Sequence, residues 1–276
     1  MLDIRRIPLG AMIGLIFTAL FLFAAIFAQL IAPFPTGQIV GDVWEPMSAE
    51  HLLGTDNLGR DLLSRMIYGA QITILIASLA TALSFTMGAI LGFAAAVIGG
   101  WFDTIMSRLV DLLMSIPTLI FGLVVLSVLP TNTITLIFVM GILDSTRVYR
   151  LSRAVAVDIN VMDFVEAAKL RGEGTGWIIF REILPNALSP LISELGLRFI
   201  YAVLFLSALS FLGLGVQPPE ADWGGMVKEN KEGIVFGIPA ALIPAAAISV
   251  LAISVNLVAD WILNRTSDLK GGRGNG

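Results

Sequence analysis

The chain has no cysteine and a single histidine, His51. Disulfides and thiolate metal sites are thereby excluded, and redox, zinc and haem chemistry lack ligands. A phosphate-binding loop needs glycine immediately before its lysine, whereas the four lysines follow Ala168, Val227, Asn230 and Leu269, which excludes ATP hydrolysis by that route. Intramembrane serine proteolysis wants a histidine or lysine beside the serine, and no apolar stretch holds either base. Charge is scarce as well: 14% of the 276 residues are charged and 57% hydrophobic, where soluble domains carry about a quarter charged. What remains is an all-α integral membrane protein with no catalytic site, since a helix satisfies its own backbone groups away from water.

Crossing the hydrocarbon takes about 20 apolar residues. Stretches of that kind run from Leu9 to Ile31, Gln71 to Ile98, Ile105 to Leu129, Thr133 to Val155, Leu188 to Leu214 and Gly237 to Leu263, predicting six transmembrane helices. The first follows Arg5 and Arg6 in the manner of a secretory signal, but its apolar run exceeds the roughly 7–15 residues of a signal core, so it is expected to stay as an anchor. Pro117 is expected to kink the third helix. The chain divides into a tip and first helix (1–32), an external loop with an interfacial helix (33–69), a five-helix core (70–265) and a tail (266–276).

Lysine and arginine placement orients the helices, because cytoplasmic segments hold the excess. With the N-terminus inside, Arg5, Arg6, Arg108, Arg147, Arg150, Arg153, Lys169, Arg171, Arg181, Arg265, Lys270 and Arg273 fall on the cytoplasmic side, and only Arg60, Arg65, Lys228 and Lys231 fall outside. Both termini are then cytoplasmic, and His51 is external.

The long polar stretch from Asp158 to Asn186 between the fourth and fifth helices is patterned. Phe164, Ala167, Ala168 and Leu170 form a short apolar stripe, Gly172 and Gly174 break it, and Trp177, Ile178, Phe180 and Ile183 begin a second before Pro185. Helix, turn, helix is the expected form. Such a pair either lies on the membrane surface or docks into a groove on a partner.

Glu166-Ala167-Ala168, then Gly172, then Ile183-Leu184-Pro185 resembles the signature loop of binding-protein-dependent ABC importer permeases. The resemblance implies a type I importer permease fold in which this loop carries a coupling helix seated in an ATPase subunit, with Glu166, Ala167, Ala168, Lys169 and Gly172 as the coupling residues. His51-Leu52-Leu53-Gly54-Thr55-Asp56-Asn57-Leu58-Gly59-Arg60-Asp61, continuing through Leu63-Ser64-Arg65, is similar to the C-type subunits of dipeptide, oligopeptide and nickel importers. So are Ser115-Ile116-Pro117 and Phe211-Leu212-Gly213-Leu214-Gly215 running into Trp223-Gly224. Asp56, Arg60 and Trp223 are the implied contacts for an external substrate-binding protein, although a place in an interfacial elbow or at a helix end is the simpler reading of each. Departures from the pattern are Gln71, where that branch has arginine, Leu206, where relatives are often acidic, and Ala259 and Trp261 in place of glycines.

Charges inside the bilayer cost about 2.5–3.5 kcal/mol at a helix centre, so they mark a pathway or a structural pair. Glu194 and Arg198, four apart with the acid first, are expected to pair and to face the bundle, either as structure or as path lining. The resemblance further implies a homologous second permease, two ATPases holding ATP and Mg, no cofactor on this chain, no nucleic acid, and residence in a prokaryotic plasma membrane, the inner membrane in Gram-negative cells. Two rivals stand beside it. A secondary transporter is expected to show inverted repeats, and none is visible. A purely structural membrane subunit has no need of the long polar loop.

Overall fold

The computed structural model describes residues 8–271, with the backbone alone over 264–271. The expected tip, the end of the tail, Arg5, Arg6 and Arg273 lie outside the described residues, as do the side chains of Arg265 and Lys270. The described chain is helical: α1 (Leu9–Ile26), α2 (Ala28–Ile31), α3 (Leu62–Ile98), α4 (Gly100–Ser115), α5 (Thr118–Val128), α6 (Thr133–Asn160), α7 (Asp163–Leu170), α8 (Thr175–Trp177), α9 (Leu184–Leu212), α10 (Trp223–Asn230) and α11 (Leu242–Gly271).

Four of these helical runs are long and apolar enough to cross a membrane, Leu9–Ile26, Leu62–Ile98, Thr175–Leu212 and Pro239–Leu263, and α4 with α5 makes a fifth if the bent pair is one span. Six spans were expected. The helix left over is α6, whose 28 residues make about 42 Å but which carries Asp144, Arg147, Arg150 and Arg153 from its middle onward. Pro117 does more than kink the third stretch: α4 and α5 meet at 89°. No N–H on Pro117 and an extended Ile116 leave the ladder no way through.

Two boundaries differ from the sequence reading. The second helix begins at Leu62 and not at Gln71, so the expected interfacial helix is the first turns of one 37-residue helix capped by Asp61, whose carboxylate accepts from the Ser64 N–H. The helix after Gly174 does not stop at Pro185. A wide turn over Ile178–Ile183, in which the Leu184 N–H bonds the Ile179 carbonyl, carries it into α9, and Pro185 sits in the first turn of α9, where a missing N–H is harmless.

The centre is the crossing of α3 on α6. A Cβ on Gly88 would lie 2.6 Å from the Ser145 carbonyl, and one on Gly92 2.7 Å from the Tyr149 carbonyl. These glycines one turn apart let the two backbones touch, which is how helices associate where lipid removes the hydrophobic drive. Gly14 on α1 meets the Ser254 carbonyl of α11 in the same way, at 2.7 Å. Two apolar clusters fill the bundle. The larger gathers Ile76, Ala77, Leu136, Met140, Val203, Leu206 and Trp223, and Leu206 is wholly buried there, so the position often acidic in relatives is a packing position here. The smaller holds Phe93, Ile159, Val165, Ile178, Ile183 and Leu191 at the end where α7 turns.

Candidate functional site

Three groups of residues stand out: an elbow at one end, a charge network in the middle and a latched loop at the other end. The elbow is α7 and the turn after it. Gly172 adopts φ 83°, its N–H bonds the Lys169 carbonyl at 3.0 Å, and the Glu173 N–H bonds the Ala168 carbonyl at 3.2 Å. That paired arrangement closes a helix with a left-handed residue, a conformation glycine takes without penalty. Val165 and Ala168 are fully buried, Val165 within the smaller cluster, while Glu166, Ala167 and Lys169 are exposed. The expected apolar stripe is thus split: Ala168 anchors, and Ala167 with Leu170, 83% exposed, faces outward. Glu166 has no basic partner among the described residues, whereas Arg171 lies over Trp177 at 5.7 Å and within 4.0 Å of Glu182.

In the middle, Arg198 is the hub. Its Nε donates to Glu194 at 2.8 Å, its Nη1 to Asp144 of α6 at 3.2 Å, and its plane lies 4.8 Å from the Tyr201 ring. The expected Glu194 and Arg198 pair forms, and Asp144 joins it. Asp144 also accepts from Ser84 of α3 at 3.1 Å and lies 3.6 Å from Arg147, which donates to Thr118 of α5. Two acids and two bases from facing helices balance. Beside them opens a cavity of about 270 Å³ among α3, α5, α6 and α9, lined by Thr81, Asp144, Arg147, Tyr201 and Phe205. Asp144 is itself readable from the sequence as a charge within an apolar stretch, but its pairing with Arg198, 54 residues on, is not.

At the far end, residues 33–61 fold back onto α10. Asp56 accepts from Arg60 Nε at 2.7 Å and from Arg65, and Glu229 of α10 accepts from the same two arginines at 2.7 and 2.6 Å. Asn230 accepts from the Trp44 indole at 3.2 Å and the Asn57 N–H at 2.9 Å. His51 lies 3.1 Å from Asp61 and is buried. Trp223 is 1% exposed, donates to the Met66 carbonyl at 3.0 Å and packs edge-on to Phe21. Asp56, Arg60 and Trp223 are therefore interior residues of this chain, and what they do directly is hold residues 33–61, α10 and the start of α3 together. Asp222 caps α10 through the Gly224 and Gly225 N–H groups, and burial pushes its carboxyl up to about 6. Gln71 donates to the Ala25 carbonyl at 3.0 Å, tying α3 to α1.

Residues 84–268 match the family model described as binding-protein-dependent transport system inner membrane component. The chain belongs to this family. The permease is 37% identical to the dipeptide transport system permease protein DppC of Escherichia coli (strain K12), over 92% of its own length and 87% of that protein. It is 35% identical to the di/tripeptide transport system permease protein DppC of Pseudomonas aeruginosa (strain UCBPP-PA14), over 92% and 86%, and 37% identical to a putative peptide transport system permease protein of Brucella suis, over 91% and 84%. It is thus a multi-pass membrane permease subunit of an ABC transporter, and not itself catalytic. The family match starts at Ser84, so the elbow and the charge network fall inside it, whereas residues 33–61 precede it.

Proposed function

We propose that this permease forms half of the path by which an ATP-driven importer brings dipeptides or oligopeptides across a bacterial inner membrane. The relatives' names support the cargo class. In this reading six helices span the bilayer, α6 being the sixth, and both termini are cytoplasmic. A second, homologous permease supplies the other half, and two ATPases hold ATP and Mg. An external binding protein delivers the cargo to the surface that Asp56, Arg60 and Trp223 hold in place.

The observation that carries the reading is the exposed side of α7. Val165 and Ala168 are buried on the side of α7 that meets the bundle, so force on Glu166, Ala167, Lys169 and the Gly172 turn passes into α6 and into the Ile178–Ile183 turn that leads to α9. ATPase closure then rocks the bundles as rigid bodies. Glu194, Arg198 and Asp144 lie where a path between facing helices would run, with the cavity beside them. The test is Glu166→Arg in the complete transporter reconstituted in vesicles. Transport should fall at least tenfold while the amount of assembled permease is unchanged; normal transport with normal ATPase contact would sink the assignment.

A further inference from the structure

α4 has no role in the reading above, and its surface is unusual. Trp101, Ile105, Leu109, Leu112 and Ile116 form one outward apolar stripe, Trp101 74% and Leu112 63% exposed. Thr104, Arg108 and Ser115, also exposed, form a polar strip along its edge. The inward side is tied to α6 by polar bonds: Asp103 to Arg153 at 2.5 Å, Ser107 to Tyr149 at 3.0 Å and Asp111 to Arg150 at 2.7 Å.

The direction of α4 follows from its neighbours. α5 runs alongside α6: Arg147 of α6 donates to Thr118 at the start of α5, and Phe121, Val125 and Leu129 line one apolar groove with Ile134, Phe138 and Ile142. α4 turns from α5 by 89°, so it crosses α6. Its bonds agree: the nine residues of α4 from Asp103 to Asp111, about 12 Å end to end, meet a stretch of α6 only five residues long, Tyr149 to Arg153, about 6 Å. A helix that crosses a spanning helix at one level lies in the membrane plane. That level is the arginine-rich stretch of α6 from Arg147 to Arg153, in the half of the helix that leads to the elbow. A helix with an apolar stripe, a polar strip and a tryptophan and an arginine where the two meet suits the boundary between acyl chains and headgroups.

Charge selects the occupant. Both carboxylates of α4 are engaged by Arg153 and Arg150, which leaves Arg108 exposed with no carboxylate partner among the described residues. We infer that α4 is an interfacial anchor whose stripe lies on the acyl chains of the cytoplasmic leaflet and whose Arg108 binds the phosphate of an anionic phospholipid. The inference rests on the reading of α6 as a span.

The test uses the assembled transporter in phosphatidylcholine vesicles containing either brominated phosphatidylglycerol or brominated phosphatidylcholine at equal mole fraction. Quenching of Trp101 is taken as the difference between wild type and Trp101→Phe. Both lipids should quench it, the anionic one roughly fivefold more effectively per lipid, and Arg108→Gln should erase the difference. Unquenched Trp101, which would mean that a protein subunit covers the stripe, overturns the inference, and so does equal quenching in the wild type or a preference that survives Arg108→Gln. The chain has no cysteine, so Asn132→Cys and Asn160→Cys can be labelled with an impermeant reagent in separate preparations. Labelling from the same side overturns the inference together with the span reading, whereas opposite sides with unquenched Trp101 overturn the inference alone.

Discussion

Arg198 on α9 reaches Asp144 on α6 at 3.2 Å while holding Glu194, one turn back on its own helix, at 2.8 Å. One guanidinium therefore neutralises carboxylates from two helices. Arg198→Ala leaves Glu194 with no base and Asp144 with Arg147 alone, and a buried pair broken from one side loses about 3–5 kcal/mol. A marked drop in the thermal midpoint of the purified permease is expected. Arg198→Lys keeps the charge but loses the fork. With that variant the yield of folded complex should recover, and a peptide uptake rate that stays low assigns the guanidinium to the path, whereas full uptake leaves it a structural tie.

Gly172 separates shape from packing. A Cβ there would meet nothing within 4 Å, yet φ is 83°. Gly172→Ala should therefore cost about 1–2 kcal/mol in the turn alone. Membrane abundance should hold, and peptide transported per ATP hydrolysed should fall; an unchanged ratio would separate the turn from coupling.

The α3 and α6 crossing is expected to be intolerant of bulk. Gly92→Val adds side-chain atoms where one Cβ already lies 2.7 Å from the Tyr149 carbonyl and 2.9 Å from the Arg153 N. Overpacking of this kind costs about 1–3 kcal/mol or more. Size-exclusion profiles of detergent extracts should show loss of the monodisperse peak, while Gly174→Ala, with nothing within 4 Å, leaves it unchanged.

Glu229 is what fastens residues 33–61 to α10. Glu229→Ala leaves Arg60 and Arg65 sharing Asp56 alone, and an unpartnered charged donor costs about 1–3 kcal/mol. Limited proteolysis from the outside should then cut within residues 33–61 several-fold faster, with no change in protection of the elbow.

Asp222 makes stability depend on pH. Its folded carboxyl titrates at about 6, against an ordinary 3.8, because burial disfavours the charge. The folded state then holds the proton more tightly than the unfolded chain. Its contribution is fully present below about pH 4, is lost as pH rises toward 6 and is flat beyond, about 3 kcal/mol in all. Asp222→Asn retains a capping oxygen without the charge. The fall in thermal midpoint between pH 4 and 6 should shrink in that variant; an identical fall would place the titration elsewhere.

Sequence by itself determined that this is a helical membrane protein of a recognisable transporter family, where its apolar stretches lie, that Pro117 interrupts one of them and that a turn follows Leu170. Each of these depends on neighbours within about 20 residues, the range over which hydropathy, helix periodicity and turn chemistry act. Only the tertiary structure decided which side of α7 is free, because its inner face is chosen by what it meets on α6 and on the Ile178–Ile183 turn. It alone joined Arg60 to Glu229, 169 residues apart, and Arg198 to Asp144, 54 apart. Local pattern carries no trace of such partners. The misplaced starts at Gln71 and Leu188 have the same origin: Leu62 and Ile183 are buried by distant helices, and that packing extends a helix through residues whose own preferences mark a boundary.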